Sequence, residues 1–104
     1  MSEIALLHVT FADADEAARI ARIVVEERLA ACANLLGPAR SIYRWAGAVE
    51  EAVEERALFK TTRAHADRLA RRIADLHSYD LPVIETWPAS VGQAAGEWVS
   101  DATT

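Results

Sequence analysis

The sequence predicts an α+β fold in the split β-α-β, or ferredoxin-like, order, with a long hairpin between its second and third strands and an extra C-terminal helix. Two amphipathic helical patterns alternate with apolar, strand-like runs. Between the helices, two apolar-rich runs meet at Gly47. With 104 residues and 52% hydrophobic content, the chain has the size of one domain, residues 1–104.

The first strand and helix follow from local pattern. Residues 4–11 are apolar and stop just before Asp13, which predicts a largely buried strand. Asp13 and Glu16 have the spacing of a helix capping pair. The apolar positions that follow recur at helical spacing: Ala17, Ile20, Ala21, Val24 and Val25. We therefore predict a first helix that ends near Arg28.

The middle of the chain permits two interpretations. Ile42, Tyr43 and Trp45 favour a strand. Residues 48–56, read alone, predict a helix, because their apolar positions fall at helical spacing among glutamates. Gly47 suits a tight turn, and residues 57–62 look like a strand end that enters the next helix. Taking both runs as strands gives a hairpin.

Such a hairpin is too long for its own domain. Residues 31–45 would reach ~50 Å if fully extended. A compact domain of ~100 residues has a gyration radius of ~13 Å and is about 33 Å across. The tip is therefore predicted to project, and self-association is a natural way to cover it.

The second helix is predicted to begin at a Thr62 cap and to end before Ser78. Its apolar stripe consists of Ala66, Leu69, Ala70, Ile73 and Leu76. Beyond it, Pro82 and Pro88 are predicted to bracket a short strand over residues 83–87 that extends through neither proline.

A third helix is predicted near the C-terminal end. Ser90 and Gln93 have the spacing of a capping pair, and apolar residues from Val91 to Val99 recur at helical spacing. This helix is short and contains Gly96, so its stability is expected to come from docking.

Composition limits the classes of function. The net charge of −5 and pI near 5.1 argue against a nucleic-acid partner. Cys32 is the only cysteine, which excludes an intrachain disulfide or a cysteine zinc cluster. The sequence has no secretory leader pattern and no run long enough to span a bilayer, which predicts a cytoplasmic protein without a membrane partner. No P-loop, dinucleotide glycine pattern or nucleophile elbow occurs, so we predict no catalytic residues and no enzyme activity.

Four motifs in the same order resemble the CutA family of divalent-cation tolerance proteins. They are RLAACAN from Arg28, SIYRWAG from Ser41, LFKTT from Leu58 and HSYDLP from His77. The resemblance covers nearly the whole chain. It implies a ferredoxin-like subunit in a tight homotrimer whose hairpins pair across subunit boundaries, a link to copper and other divalent metals, and a trimer similar to that of the PII signalling proteins.

The resemblance also implies a place for a metal. The family's ligands, a cysteine on the first strand and neighbouring histidines after the second helix, fall on Val9, Leu76 and His77 of this chain. Only His77 retains a coordinating side chain, and it is the candidate metal ligand. The alternative for His77 is helix capping, because a helix C-terminus favours a protonated imidazole.

Two further residues are candidates for binding a small anionic ligand. Lys60 lies in an apolar strand end, where it either pairs with a carboxylate or presents a cation to an anion in a cleft between subunits. Tyr79 lies in the loop after His77. Together they support an alternative function, a PII-like trimeric sensor of an anionic metabolite.

Other conspicuous side chains favour structural roles. Cys32 is predicted to be a small buried hydrophobe and His8 a satisfied core or interface histidine. Trp45, Trp87 and Trp98 are predicted to be core and interface residues. The leading hypothesis is a homotrimeric, CutA-like binding or regulatory module connected with metal-ion tolerance, with no certain cofactor and copper as a candidate.

Overall fold

A computed structural model describes residues 1–104, and its elements follow the predicted order. They are β1 (Ser2–Phe11), α1 (Ala14–Glu26), β2 (Cys32–Trp45), β3 (Ala48–Thr61), α2 (Arg63–Leu76), β4 (Ile84–Val91) and α3 (Gln93–Ala102). The strands form one antiparallel sheet in the order β2-β3-β1-β4. This confirms the predicted α+β, ferredoxin-like class with an extra C-terminal helix. None of the helices has the length and hydropathy that a bilayer span requires.

The main core lies between one face of the sheet and helices α1 and α2. Alternate residues of β1 point into it, and all of these are at most 3% exposed: Ala5, Leu7, Val9 and Phe11. Phe59 packs edge-on against Phe11, with ring centroids 6.4 Å apart. A smaller cluster of Ile4, Ala31 and Val99 packs α3 against the opposite face of the sheet. The strand period of two thus separates a packed face from a more open one.

The middle segment is the predicted hairpin, and the alternative interpretation of residues 48–56 as a helix is wrong. β2 and β3 pair from Cys32 opposite Lys60 to Trp45 opposite Ala48. β1 pairs with β3 only as far as Phe11 opposite Glu55, so the rest of the hairpin continues alone. The molecule is consequently 46 Å long and only 24 by 22 Å in its other dimensions. The helix propensity of the glutamates is outweighed here by the pairing of β3 with β2.

A two-residue turn at Ala46 and Gly47 closes the hairpin. Both residues have positive φ, 50° and 82° respectively. Positive φ at both central positions is the mark of a type I′ turn, whose twist matches that of the flanking strands. Gly47 adopts this conformation without strain, whereas Ala46 does so at a steric cost.

Helix α1 begins as predicted. The Asp13 side chain accepts a hydrogen bond from the Glu16 N–H at 2.8 Å. The Glu16 carboxylate reaches back to the Ala12 N–H at 3.2 Å rather than to the cap residue itself. Thr62 occupies the cap position of α2, but its hydroxyl bonds the His65 ring instead of the helix backbone.

The C-terminal region differs from the sequence prediction in two respects. Strand β4 runs through Pro88, which lies opposite Ala5, so the prediction that a proline would stop it is wrong. β4 is an edge strand, and an edge position tolerates a residue that lacks an N–H because one side of the strand has no ladder partner. Ser90 is therefore in the strand, and Gly92 rather than Ser90 is the cap of α3.

Gly96 shows how α3 docks. This residue is buried, and a Cβ added there would overlap the Ser2 side chain at the start of β1. The glycine therefore permits the close approach of α3 to the sheet, in agreement with the expectation that docking stabilises this helix.

The turn generates a paired prediction. Ala46→Asn should stabilise the fold by about 0.5–1 kcal/mol, because Asn tolerates positive φ better than Ala. Gly47→Ala should destabilise it by about 1 kcal/mol for the converse reason. Urea unfolding at matched protein concentration measures both. Equal effects of the two substitutions would contradict the assigned turn.

Candidate functional site

The candidate site lies where β1 ends and the segment after α2 passes beneath the hairpin. His77 follows the last residue of α2, and its backbone leaves the helix for an extended conformation. Its ring stacks on that of Phe11, with ring centroids 4.8 Å apart, and its centroid lies 4.6 Å from that of the Tyr79 ring. His77 is only 9% exposed. A residue predicted either to cap a helix or to bind a metal is thus built into the wall of the core.

Both ring nitrogens of His77 have partners within the chain. Nδ1 accepts the Tyr79 backbone N–H at 3.0 Å. Nε2 lies 2.8 Å from the backbone oxygen of Thr10, an acceptor, so Nε2 carries the proton and donates. These two bonds specify a neutral imidazole in one tautomer, with no lone pair left over.

The residues present do not fit a divalent metal within one chain. Val9 is fully buried in the core, and Leu76 packs against that core, so the other two positions that the resemblance implies offer only carbon. No group of three or more His, Cys, Asp or Glu side chains is placed to hold an ion. Coordination by His77 stays a prediction, and it requires the loss of one of its two hydrogen bonds.

Tyr79 joins this segment to the hairpin. Its hydroxyl donates to Glu54 Oε2 at 2.7 Å. Burial raises the pKa of Tyr79 above its ordinary value, and the bond to Glu54 and the charges of Glu54 and Glu16 raise it further. The phenol therefore stays protonated and remains a donor across the physiological range.

Glu16 joins the same segment to α1. Its Oε2 accepts the Ser78 N–H at 3.0 Å, while its Oε1 accepts the Ala12 N–H. Burial alone would raise the pKa of Glu16, but hydrogen bonds from Ser78 and Ala12 lower it overall. One carboxylate thus holds the β1–α1 junction and the segment after α2 together.

A cavity of about 580 Å³ opens between this segment and the hairpin. Its walls come from the end of β1, from the hairpin and from the loop before β4. The lining residues are Thr10, Ser41, Tyr43, Arg44, Trp45, Glu50, Glu54, Tyr79, Asp80, Leu81 and Val83. Its size is that of an ordinary small-molecule pocket.

Lys60 is not part of this cavity. It lies in β3 opposite Leu6 and Cys32, six residues from the Glu54 that binds Tyr79, or ~20 Å along the strand. Lys60 is half-buried and makes no ion pair within the chain. The structure therefore does not bring the two predicted anion-binding residues together in one subunit.

The other conspicuous side chains of the sequence are His8, Cys32 and the three tryptophans. His8 Nδ1 lies 2.9 Å from Glu85 Oε1, and its Nε2 accepts a 3.4 Å bond from Arg56, which agrees with a satisfied histidine. Cys32 is half-buried and free. Trp45, Trp87 and Trp98 are 55%, 42% and 52% exposed, so none belongs to the core of a single chain.

Sequence reasoning missed two residues of this site, Glu16 and Glu54. The sequence indicates Glu16 only as half of a capping pair, although that position places its carboxylate near the end of β1. Glu54 lies in a run of glutamates, and nothing local distinguishes it from its neighbours. Its role depends on contact with Tyr79, which is distant in sequence.

Comparison with known proteins agrees with this architecture. Residues 5–102 match the family model described as CutA1 divalent ion tolerance protein. A divalent-cation tolerance protein CutA from Thermus thermophilus is 43% identical over 93 residues, which cover 88% of this chain and 87% of that protein. A CutA homolog from Danio rerio is 37% identical over 86 residues, and the match spans 82% of this chain but only 57% of that longer protein.

A solved structure shows the same fold. The crystal structure of a divalent ion tolerance protein CutA1 from Ehrlichia chaffeensis aligns with a TM-score of 0.93 at 32% identity. The alignment covers 100% of this chain and 98% of that one.

The two hydrogen bonds that Glu16 accepts from Ala12 and Ser78, here called the Glu16 bridge, lead to a pH-dependent prediction. Because folding lowers the pKa of Glu16, its stabilisation is present above the ordinary value of 4.5 and is lost as pH falls through the lower folded value. Glu16→Gln should cost about 1–2 kcal/mol of unfolding free energy at neutral pH, since one amide oxygen cannot accept both N–H groups. The difference from the native protein should shrink as the pH falls below 4.5.

Denaturant unfolding across this pH range tests the bridge. Glu26→Gln is the matched control, because Glu26 is exposed on the same helix. A loss of stability for Glu16→Gln that is the same at every pH, or that equals the control, would contradict the bridge.

Proposed function

The chain belongs to the CutA1 divalent ion tolerance family, and from this we propose that it works as a homotrimeric binding or regulatory module in the response to divalent cations, with no catalysis of its own. The family membership supports the connection with divalent cations. The projecting hairpin is the observation on which the proposed assembly rests. We place the protein in the cytoplasm on the sequence pattern alone.

The hairpin carries an apolar strip that nothing in one chain covers. Ile42, Val49 and Val53 are 66%, 63% and 69% exposed. By the register of β2 and β3 and the alternation of side chains, all three lie on the same face of the ribbon. Covering three such side chains stabilises an assembly by about 3–6 kcal/mol per hairpin.

The free edge of β2 supports the same conclusion. β2 is an outer strand of the sheet and is 14 residues long. A long, exposed edge is a template for pairing with another chain, so soluble proteins cover it or shorten it. Pairing between copies satisfies both the edge and the apolar strip.

A PII-like sensor of a small anionic metabolite is the second candidate. One observation favours it: Lys60 is a half-buried cation with no carboxylate partner in its own chain. Because Lys60 lies ~20 Å along β3 from the Glu54 that binds Tyr79, a single anion site that uses both Lys60 and Tyr79 requires walls from different copies.

Assembly is tested by sedimentation velocity at micromolar concentration. We expect a species of about three times the 11.4 kDa chain mass. Val53→Lys should shift it to smaller mass, because it places a charge in the strip that becomes covered. Ala18→Lys, on the exposed side of α1, is the matched control and should leave the mass unchanged. A stable single-chain species for the native protein would refute the assembly.

Metal binding by His77 is tested by calorimetry with copper on tag-free protein. Because each ring nitrogen is already hydrogen-bonded, we expect binding at His77 to be weak, with no tight stoichiometric site that His77→Ala removes. His77→Ala should still lower the melting temperature, since it removes a buried, stacked ring. Tight binding of one ion per chain or per trimer that disappears in His77→Ala would show that His77 is a ligand.

A further inference from the structure

The cavity beneath the hairpin is distinct from the apolar strip proposed to be covered by other copies. Tyr43 pairs with Glu50, and Ser41 pairs with Ala52, on the ribbon face opposite Ile42 and Val53. The loop before β4 closes the other side of the cavity with Leu81 and Val83, which are 70% and 67% exposed. The cavity's ribbon residues therefore lie on the face opposite the strip, except Arg44, which pairs with Val49 on the strip's own face.

The charges around the cavity favour a cation. Its lining includes the carboxylates Glu50, Glu54 and Asp80 and a single basic group, Arg44. No lysine or histidine lines it, and the salt bridges of the chain involve neither Arg44 nor the three acids. The field inside is therefore negative at neutral pH, which disfavours the anionic ligand that Tyr79 was predicted to bind.

The aromatic lining favours an organic cation over a bare metal ion. Tyr43, Trp45 and Tyr79 all face the cavity. The rings of Tyr43 and Trp45, which are 41% and 55% exposed, stack on no other ring of the chain. An aromatic face attracts an alkylated ammonium group through its quadrupole, and the same face contributes apolar contact. A bare divalent ion would fill only a small part of about 580 Å³.

Part of the cavity wall is already rigid. The Tyr79 hydroxyl orients Glu54, and the Tyr79 ring is held against His77 while its backbone N–H bonds that histidine. A ligand therefore meets a carboxylate and an aromatic ring whose positions are fixed before it binds. Such preorganisation lowers the entropic cost of binding.

We propose that this cavity binds an organic ammonium cation that carries apolar carbon, with Tyr43 and Trp45 against its apolar and cationic part and Glu50 and Glu54 as its counter-charges. The site uses neither a metal nor a catalytic step, and it requires only that the proposed assembly leave the cavity open.

The experiment titrates the native protein with three probes that share a benzyl or phenyl ring and differ in charge. They are benzyltrimethylammonium, benzyl alcohol and benzoate. By calorimetry we expect saturable binding of benzyltrimethylammonium, one per chain, with benzyl alcohol and benzoate about tenfold weaker or undetectable. Quenching of the only tryptophan left in a Trp87→Phe, Trp98→Phe variant places the probe next to Trp45.

Charge-matched variants locate the site. Glu50→Gln should weaken benzyltrimethylammonium about three- to tenfold. Glu51→Gln, the neighbour on the opposite face of the same strand, should change it less than twofold. Tyr79→Phe keeps the ring but removes the bond to Glu54, and it should weaken binding to an intermediate extent. These exposed or conservative changes are expected to preserve the fold, which sedimentation and melting verify.

Three results would overturn the proposal. The first is benzoate or benzyl alcohol binding as tightly as the ammonium probe. The second is equal weakening by Glu50→Gln and Glu51→Gln. The third is no saturable binding of the ammonium probe at millimolar concentration, which would mean that the cavity is filled by another copy or binds nothing of this class. A correct trimer mass together with any of these results would leave the assembly intact and reject this site alone.

Discussion

The structure depends on a mismatch of strand lengths. β1 has 10 residues, whereas β2 and β3 have 14 each, and the pairing of β1 with β3 ends at Phe11 opposite Glu55. From that point to the turn at Ala46 and Gly47, β2 and β3 pair only with each other. An isolated two-stranded ribbon is marginally stable in water, so the hairpin needs support from outside its own ladder.

Part of that support comes from the segment after α2. His77 is fixed against Phe11 and the end of β1, Tyr79 reaches from it to Glu54 on the ribbon, and Glu16 fastens Ser78 to the start of α1. The same contacts that brace the base of the ribbon also shape the cavity beside it. A position that the family resemblance associates with metal thus serves here, within one chain, as the buried link between core and hairpin.

The sequence predicted those parts of the fold that local chemistry determines. The Asp13 and Glu16 pair started α1, Gly47 marked the turn, and the length of the apolar runs required a projecting hairpin. It was wrong at Pro88, which is tolerated because β4 has a free edge. The local pattern of residues 48–56 was compatible with both helix and strand, and pairing with β2 makes them a strand, as the predicted hairpin requires. The sequence could not distinguish Glu54 from the neighbouring glutamates, because its role depends on a hydrogen bond from Tyr79, which is distant in sequence.

The central claim is that other copies of the chain shelter the ribbon, and amide hydrogen exchange of residues 48–53 tests it most directly. The account predicts that these amides exchange about as slowly as those of β1, and that their protection is lost together with the assembly's mass on dilution or in a Val53→Lys variant. Rapid exchange in an intact assembly would contradict the account. Full protection in a species that sediments as a single chain would contradict it equally.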